Sequence, residues 1–249
     1  MDLEQSLVKA HAPILMFHEK EQWYPMEIPQ YVSECKIIVP NQPDMNTDSW
    51  AEWVALTPGN IQEQSSLRPI NFPKPLPFDP AHPIYYTVYK PTPGEMYITY
   101  YFFYADNPSS TFLCGCAVPY TSHLADIEHV QVHLQSGVFK RMYFSKHGGG
   151  NWVSAEKLSK NDQGRPIVYI GLGSHASYET NGFYGFHCRF GMFVPDKTSE
   201  KGIVSESTNV IPIDGALLYR GTYGDGSVSG FPTKSSWMSE DKDESWRCS

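Results

Sequence analysis

Nine residues, Met96–Tyr104, read MYITYYFFY, and six of them are aromatic. Rings and β-branched side chains lose rotamer freedom in a helix and pack well on a pleated surface, so this run is a strand and a core strand. Tyr85–Tyr89, YYTVY, precedes it across a Pro-Thr-Pro-Gly turn. Ile127–Leu134, Val138–Phe144 and Pro166–Leu172 follow at short intervals, each bounded by turn residues. Val210–Ile213 and Gly215–Tyr219 are candidate further strands. The pattern predicts an all-β chain: a β-sandwich of two mostly antiparallel sheets with long Pro-rich loops and a few short helices. Residues 2–10 and the SWAEWVAL stretch at 49–56 are the candidate helices.

Between Arg68 and Pro83 lie six prolines. Proline lacks the N–H that a ladder or a helix needs, so this segment is an extended connector. One domain over residues 1–249 is expected, with residues 1–83 an extended, Pro-rich part packed on it and residues 234–249 a loose polar tail. The five cysteines are scattered and odd in number, which argues against a disulfide framework.

The chain carries a net charge of −8 with no basic stripe, which argues against nucleic acid as a partner. No run of eighteen apolar residues is present to span a bilayer. The opening MDLEQSLVKAHAPILMF is acidic at its start and broken by Pro13, unlike a secretion signal. The expected location is therefore cytoplasmic, or secreted if a signal was removed.

Six of the nine histidines fall between residues 123 and 187. The densest piece is SHLADIEHVQVHL at 122–134. Strand alternation puts Asp126, Glu128, Val130 and Val132 on one face, and Ile127, His129, Gln131 and His133 on the other. Two carboxylates at i and i+2 converge in front of a sheet and repel each other. Either a proton or a cation must neutralise them. Mg²⁺ and Ca²⁺ prefer such oxygens, while nearby imidazoles extend the range to Mn²⁺, Fe²⁺ or Zn²⁺. His147 before Gly148–Gly150, His175 in Gly171-Leu172-Gly173-Ser174-His175, and Asp106 in Tyr104-Ala105-Asp106-Asn107-Pro108 each sit at a strand end. Trp152 and Tyr178 are placed to flank the same opening. Lys146 and Arg165 read as solvated face residues, and His129 and His133 as ordinary sheet-face residues.

AHAPILMFHEKEQWYP, YITYYFFYADNP, ADIEHVQVHL, MYFSKHGGGNW and RPIVYIGLGSHASY, in that order, make the chain resemble the vacuolar protein sorting 62 family. That family is in turn distantly similar to the necrosis- and ethylene-inducing peptide-like proteins, β-sandwiches whose acidic cavity holds a divalent ion that helps grip sugar headgroups. Their Gly-His-Arg-His-Asp-Trp-Glu hallmark is matched in part by Ser122–Glu128, which keeps the first His, the Asp and the Glu. The resemblance implies a metal site from Asp106, His123, Asp126 and Glu128, with His147 nearby. The expected function is a divalent-metal-binding protein whose acidic, His-bordered cavity takes a hydroxylated headgroup, glycan or small molecule. The alternative is a metal-dependent enzyme acting on a small organic substrate by hydrolysis, lyase or cyclisation chemistry. His123, His147 and His175 would then move protons.

Overall fold

Asp2 opens the first helix by accepting a hydrogen bond from the Gln5 N–H at 2.7 Å, and Glu4 in the first turn and Lys9 in the last complement the helix dipole. In the computed structural model, which describes residues 2–71, 73–109, 111–113, 116–118, 122–147, 149–187, 192–225 and 228–229, that helix is followed mainly by strands. The first elements are α1 (Leu3–His11), β1 (Ile14–Met16), α2 (Ile28–Ser33), β2 (Cys35–Ile38), β3 (Met45–Asn46), α3 (Trp50–Leu56), α4 (Gly59–Gln62) and β4 (Ser66–Pro69). Next come β5 (Ile84–Tyr89), β6 (Glu95–Asn107), β7 (Thr111–Leu113), β8 (Cys116–Val118), β9 (His123–Gln135), β10 (Val138–Lys146) and β11 (Gly149–Ser154). The remainder are β12 (Ile167–Ile170), β13 (Ser177–Tyr178), β14 (Phe183–His187), β15 (Met192–Lys197), β16 (Val204–Ser205), β17 (Val210–Pro212), β18 (Thr222–Tyr223) and β19 (Val228–Ser229).

The centre is a six-stranded sheet in the order β11-β10-β9-β6-β5-β17, antiparallel except for the β5–β17 pair. Its axis is the pairing of β6 with β9, thirteen residues each, running from Glu95 opposite Gln135 to Asn107 opposite His123. Both faces of this sheet are covered. Ile98, Tyr100, Phe102 and Tyr104 project to one side and pack with Leu15, Phe17, Val168 and Ile170, carried on or beside β1 and β12. Tyr101, Phe103 and Ala105 project to the other and pack with Tyr31, Ile37, Leu67 and Tyr223. Alternation therefore holds along the aromatic run, but both phases are apolar because both faces have partners. Each fully buried ring of this kind contributes about 1.5–3 kcal/mol of transfer free energy.

The all-β expectation, with a few short helices, holds. The layering is richer than two sheets, because the described strands form four. The N-terminal residues are woven into them: β1 pairs in parallel with β12, and β4 lies between β2 and β18. Arg165, only 5% exposed, fastens that weave. Its guanidinium donates to the carbonyls of Ala12 (2.8 Å), Pro13 (3.2 Å), Glu206 (3.0 Å) and Ser207 (2.8 Å). The expectation of a solvated Arg165 is thus corrected, since a planar five-donor group can bind several carbonyls at once and stay buried.

The two expected helices appear as α1 and α3, whereas α2 and α4 were not expected, and residues 70–83 carry no strand or helix among those described. Gly215–Leu218 is a 3-10 turn rather than a strand. It opens at Gly215 with φ +51°, and its Ala216 and Leu217 pack on the core beside α3. The tail 234–249, the Cys114-Gly115 dipeptide, Gly148, Cys188 and Cys248 lie outside the described residues.

Candidate functional site

The end of β6, the start of β9, the end of β10 and the loop after β12 converge at one end of the central sheet. Strain marks the place. Ala125 (φ +60°), His147 (φ +47°) and His175 (φ +57°) occupy the left-handed region there, where non-glycine residues are uncommon. Such conformations persist only where surrounding structure over-determines them, often at functional sites. Gly224 (φ +70°) closes on the same end, and a Cβ on it would lie 2.0 Å from the Leu124 carbonyl oxygen.

Asp126 and Glu128 do share a face, opposite Tyr104 and Phe102 of β6. Asp126 is 5% exposed, and its Oδ2 accepts from Asn107 Nδ2 at 2.9 Å and from His175 Nδ1 at 3.0 Å. Glu128 is half-buried and accepts from the Ser145 hydroxyl. Burial pushes the Glu128 carboxyl well above its usual range, and the charges of Asp126 and Asp196 push it further.

His175 is fully buried and lies flat on the Tyr104 ring, with centroids 3.8 Å apart and planes within 3°. Because Asp126 accepts from Nδ1, the other nitrogen is the basic one. That Nε2 has no hydrogen-bond partner among the described residues and sits 3.9 Å from Glu21 Oε1. Glu21 is itself buried, and its carboxylate accepts from the backbone N–H groups of Gln22 (2.9 Å), Trp23 (2.9 Å) and Gly173 (2.8 Å). A cleft of about 320 Å³ opens beside it, between Glu21 and Trp23 on one side and Pro108 and Gly173 on the other.

His147 turns to a different acid. Its Nε2 meets Asp196 Oδ2 at 2.5 Å, and the Tyr178 hydroxyl donates to the same oxygen. Asp196 is fully buried, and its Oδ1 has no hydrogen-bond partner among the described residues. Lys146, expected in solvent, is 7% exposed; its ammonium bonds Glu179 (2.8 Å) and Asn151 (2.6 Å) and faces the Tyr178 ring at 4.9 Å.

Asp106 is buried within β6 rather than beyond its end, and desolvation raises its carboxyl while His175 and His123 oppose the rise. His123 is half-buried, with Nδ1 2.7 Å from the Ala125 carbonyl. A carbonyl only accepts, so Nδ1 carries the proton and Nε2 is the nitrogen able to meet an ion. Tyr178 borders the site, but Trp152 stands with Tyr97 and Tyr143 and beneath the Arg141 guanidinium, away from it.

The donor chemistry suits a hard divalent ion: buried carboxylates, an orphaned Asp196 oxygen and no lysine or arginine bonded to Asp126, Glu128 or Asp196 among the described residues. A ready-made cage is not formed, for no three His, Cys, Asp or Glu side chains among the described residues are gathered into a metal-holding group. Glu21 and Asp196 carry no signal in the sequence. One lies in an irregular loop and the other in a strand some seventy residues beyond Asp126.

The model of vacuolar protein sorting-associated protein 62 matches residues 85–206, a span that runs from the second residue of β5 through β16. A Saccharomyces cerevisiae protein provisionally named vacuolar protein sorting-associated protein TDA6 is 26% identical over 235 residues, covering 76% of this chain. The chain spans about half (49%) of that relative's length. Among solved structures, NLPPya in complex with glucosamine is similar over 95% of this chain and 88% of its own, at 14% identity and a TM-score of 0.46. A structure described as a toxin fold for microbial attack and plant defense is similar over 85% of this chain and 74% of its own, at 15% identity and a TM-score of 0.42. The resemblance to the vacuolar protein sorting 62 family holds.

Proposed function

We propose that this chain, similar over residues 85–206 to the vacuolar protein sorting 62 family, binds a divalent cation at Asp126 and Glu128 and uses it to hold a hydroxylated headgroup, glycan or small molecule. One observation carries the reading: Asp126, Glu128 and Asp196 crowd one end of the sheet, and among the described residues only imidazole, amide and hydroxyl side chains bond to them. Buried like charges of this kind need neutralisation, and a cation supplies it without the loss of charge that protonation brings. Asp126 and Glu128 are the first ligands, with Asp106 and His123 Nε2 beside them. Mg²⁺ or Ca²⁺ suits the oxygen donors best, and Mn²⁺, Fe²⁺ or Zn²⁺ would lean on the imidazoles. A bound ion would offer open positions that neighbouring hydroxyls can share.

The chain's own groups have assigned parts. Asn107 and His175 fix the Asp126 carboxylate, Ser145 fixes Glu128, and Tyr178 and His147 fix Asp196. Elemental analysis and titration calorimetry with Mg²⁺, Ca²⁺ and Mn²⁺ test the proposal. The expected result is one ion per chain in the wild type and none in Asp126→Asn. Equal metal content in the two proteins, or no metal in either, refutes it. Titration with methyl glycosides and myo-inositol, with and without the ion, should then give binding only in its presence.

A second reading, a metal-dependent enzyme on a small organic substrate, draws support from the Asp126–His175 pair. A carboxylate on Nδ1 fixes the ring's orientation and leaves the Nε2 lone pair facing away from it, the arrangement general base catalysis uses. In that case His175→Gln removes turnover and leaves ligand affinity nearly unchanged. Loss of both together argues against it.

A further inference from the structure

The geometry points to a second ligand site, in the groove beneath the Pro-rich segment, that takes a small amphipathic molecule with an aliphatic body and an amine or hydroxyl head. Two concavities of about 280 and 740 Å³ flank residues 73–77 and share Met26, Lys74, Leu76 and Ala105, so they form one groove. None of these residues belongs to the acidic cluster of Asp126 and Glu128, and the inference goes beyond the cation reading.

Three observations converge on the ligand class. The walls are apolar: Trp23, Tyr24 and Met26 on one side, Leu76 and Pro77 on the other, with buried Ala105 between the concavities. At the mouth Ile70 is 58% exposed and Leu76 43% exposed, an arrangement that a ligand's apolar body would cover. Tyr31 lines the larger concavity, and its buried hydroxyl has no hydrogen-bond partner among the described residues. A buried hydroxyl left unpaired is costly, and a ligand's oxygen or nitrogen can satisfy it. The charged rim is mainly acidic, with Glu27, Glu34 and Asp79 against Lys74. That balance favours a cationic or neutral head over a carboxylate. The combined space falls in the range of small-molecule pockets, which are mostly apolar with a few polar groups that fix orientation.

Titration calorimetry of the full chain in EDTA, with octylamine, octanol and octanoate as probes, tests this. EDTA removes any dependence on a cation, so this test fails or succeeds independently of the metal reading. Octylamine and octanol should each saturate one site, and octanoate should bind at least tenfold more weakly. Leu76→Gln changes an exposed residue and should weaken octylamine at least tenfold with unchanged thermal unfolding. Ala105→Leu should do the same by filling the junction, and Tyr31→Phe should weaken octanol several-fold. Absence of saturable octylamine binding, equal binding of octanoate, or full affinity in Leu76→Gln overturns the assignment. So does sedimentation that shows a dimer dissolved by Leu76→Gln, because the occupant is then a second copy of the chain.

Discussion

Strand β9 carries polar groups on both faces, and the two faces treat them differently. On one side, His129 and His133 are nearly as buried as Asp126. His133 stacks on Tyr97 with planes 5° apart and bonds Glu95, while Arg141 donates to its Nδ1 at 3.3 Å. His129 sits between the rings of Tyr101 and Tyr143, and burial drives its pKa down to about 3, so it stays neutral. Every charge there is neutralised or removed. On the other side Asp126, Glu128 and Asp196 remain an excess of acid, with His175 Nε2 and Asp196 Oδ1 unbonded among the described residues. Equal burial with unequal charge balance separates a face whose polar groups are paired from one left with surplus acid, which is the basis of the proposed cation site.

The largest test of this contrast is the loss of an imidazole from each face. His175→Ala empties a fully buried site and strips Asp126 of its partner, and should cost about 2–4 kcal/mol in denaturant unfolding. His133→Ala, whose ring is slightly more exposed and leaves no unpaired carboxylate inside the acidic cluster, should cost about 1 kcal/mol. The contrast breaks if the order is reversed. Next comes cation affinity. Glu128→Gln should lower Mg²⁺ or Ca²⁺ affinity about 30- to 100-fold by calorimetry, whereas His133→Gln should change it less than about twofold. In chelator the same Glu128→Gln should raise the melting temperature, because it removes a carboxylate that its neighbours repel. A fall would show that Glu128 is structurally balanced after all.

A smaller effect separates the faces by pH. The folded His129 pKa lies below its unfolded value near 6.5, so the unfolded chain binds the extra proton. Its contribution to stability is present above about 6.5 and is lost as pH falls towards 3, at a limiting slope of about 1.4 kcal/mol per pH unit. His129→Phe should flatten that limb in acid titrations followed by circular dichroism, and an unchanged slope would mean that His129 is charged in the fold. The smallest expectation concerns Tyr104. Its buried hydroxyl has no hydrogen-bond partner among the described residues, so Tyr104→Phe should keep the His175 stack and shift stability by less than about 1 kcal/mol.

The face assignment on β9 was legible in the sequence because a period of two depends on nothing distant, and Asp126 and Glu128 fell where alternation put them. His147 and His175 were legible as strand-end residues before or after glycines. Their partners were not. Asp196 reaches His147 from β15, and Glu21 reaches the His175 loop from a stretch without periodicity. Such meetings follow from sheet order, which no local pattern records. Lys146 and Arg165 were misread for a related reason. Long cationic side chains are usually solvated, and only tertiary acceptors, Glu179 for one and four carbonyls for the other, bring them inside. The turn at Gly215 was misread because apolar Ala216 and Leu217 look like strand residues until the surface they cover is known.

The Arg165 clamp also sets an order of events during synthesis. Its bond to Ala12 spans 153 residues, and its bonds to Glu206 and Ser207 cannot form until the ribosome has passed that point. Contacts of such separation slow the search for the native state. The emerging segment around Leu15 and Phe17 must wait for the chain that will receive it, and during that interval its apolar side chains stay open to water.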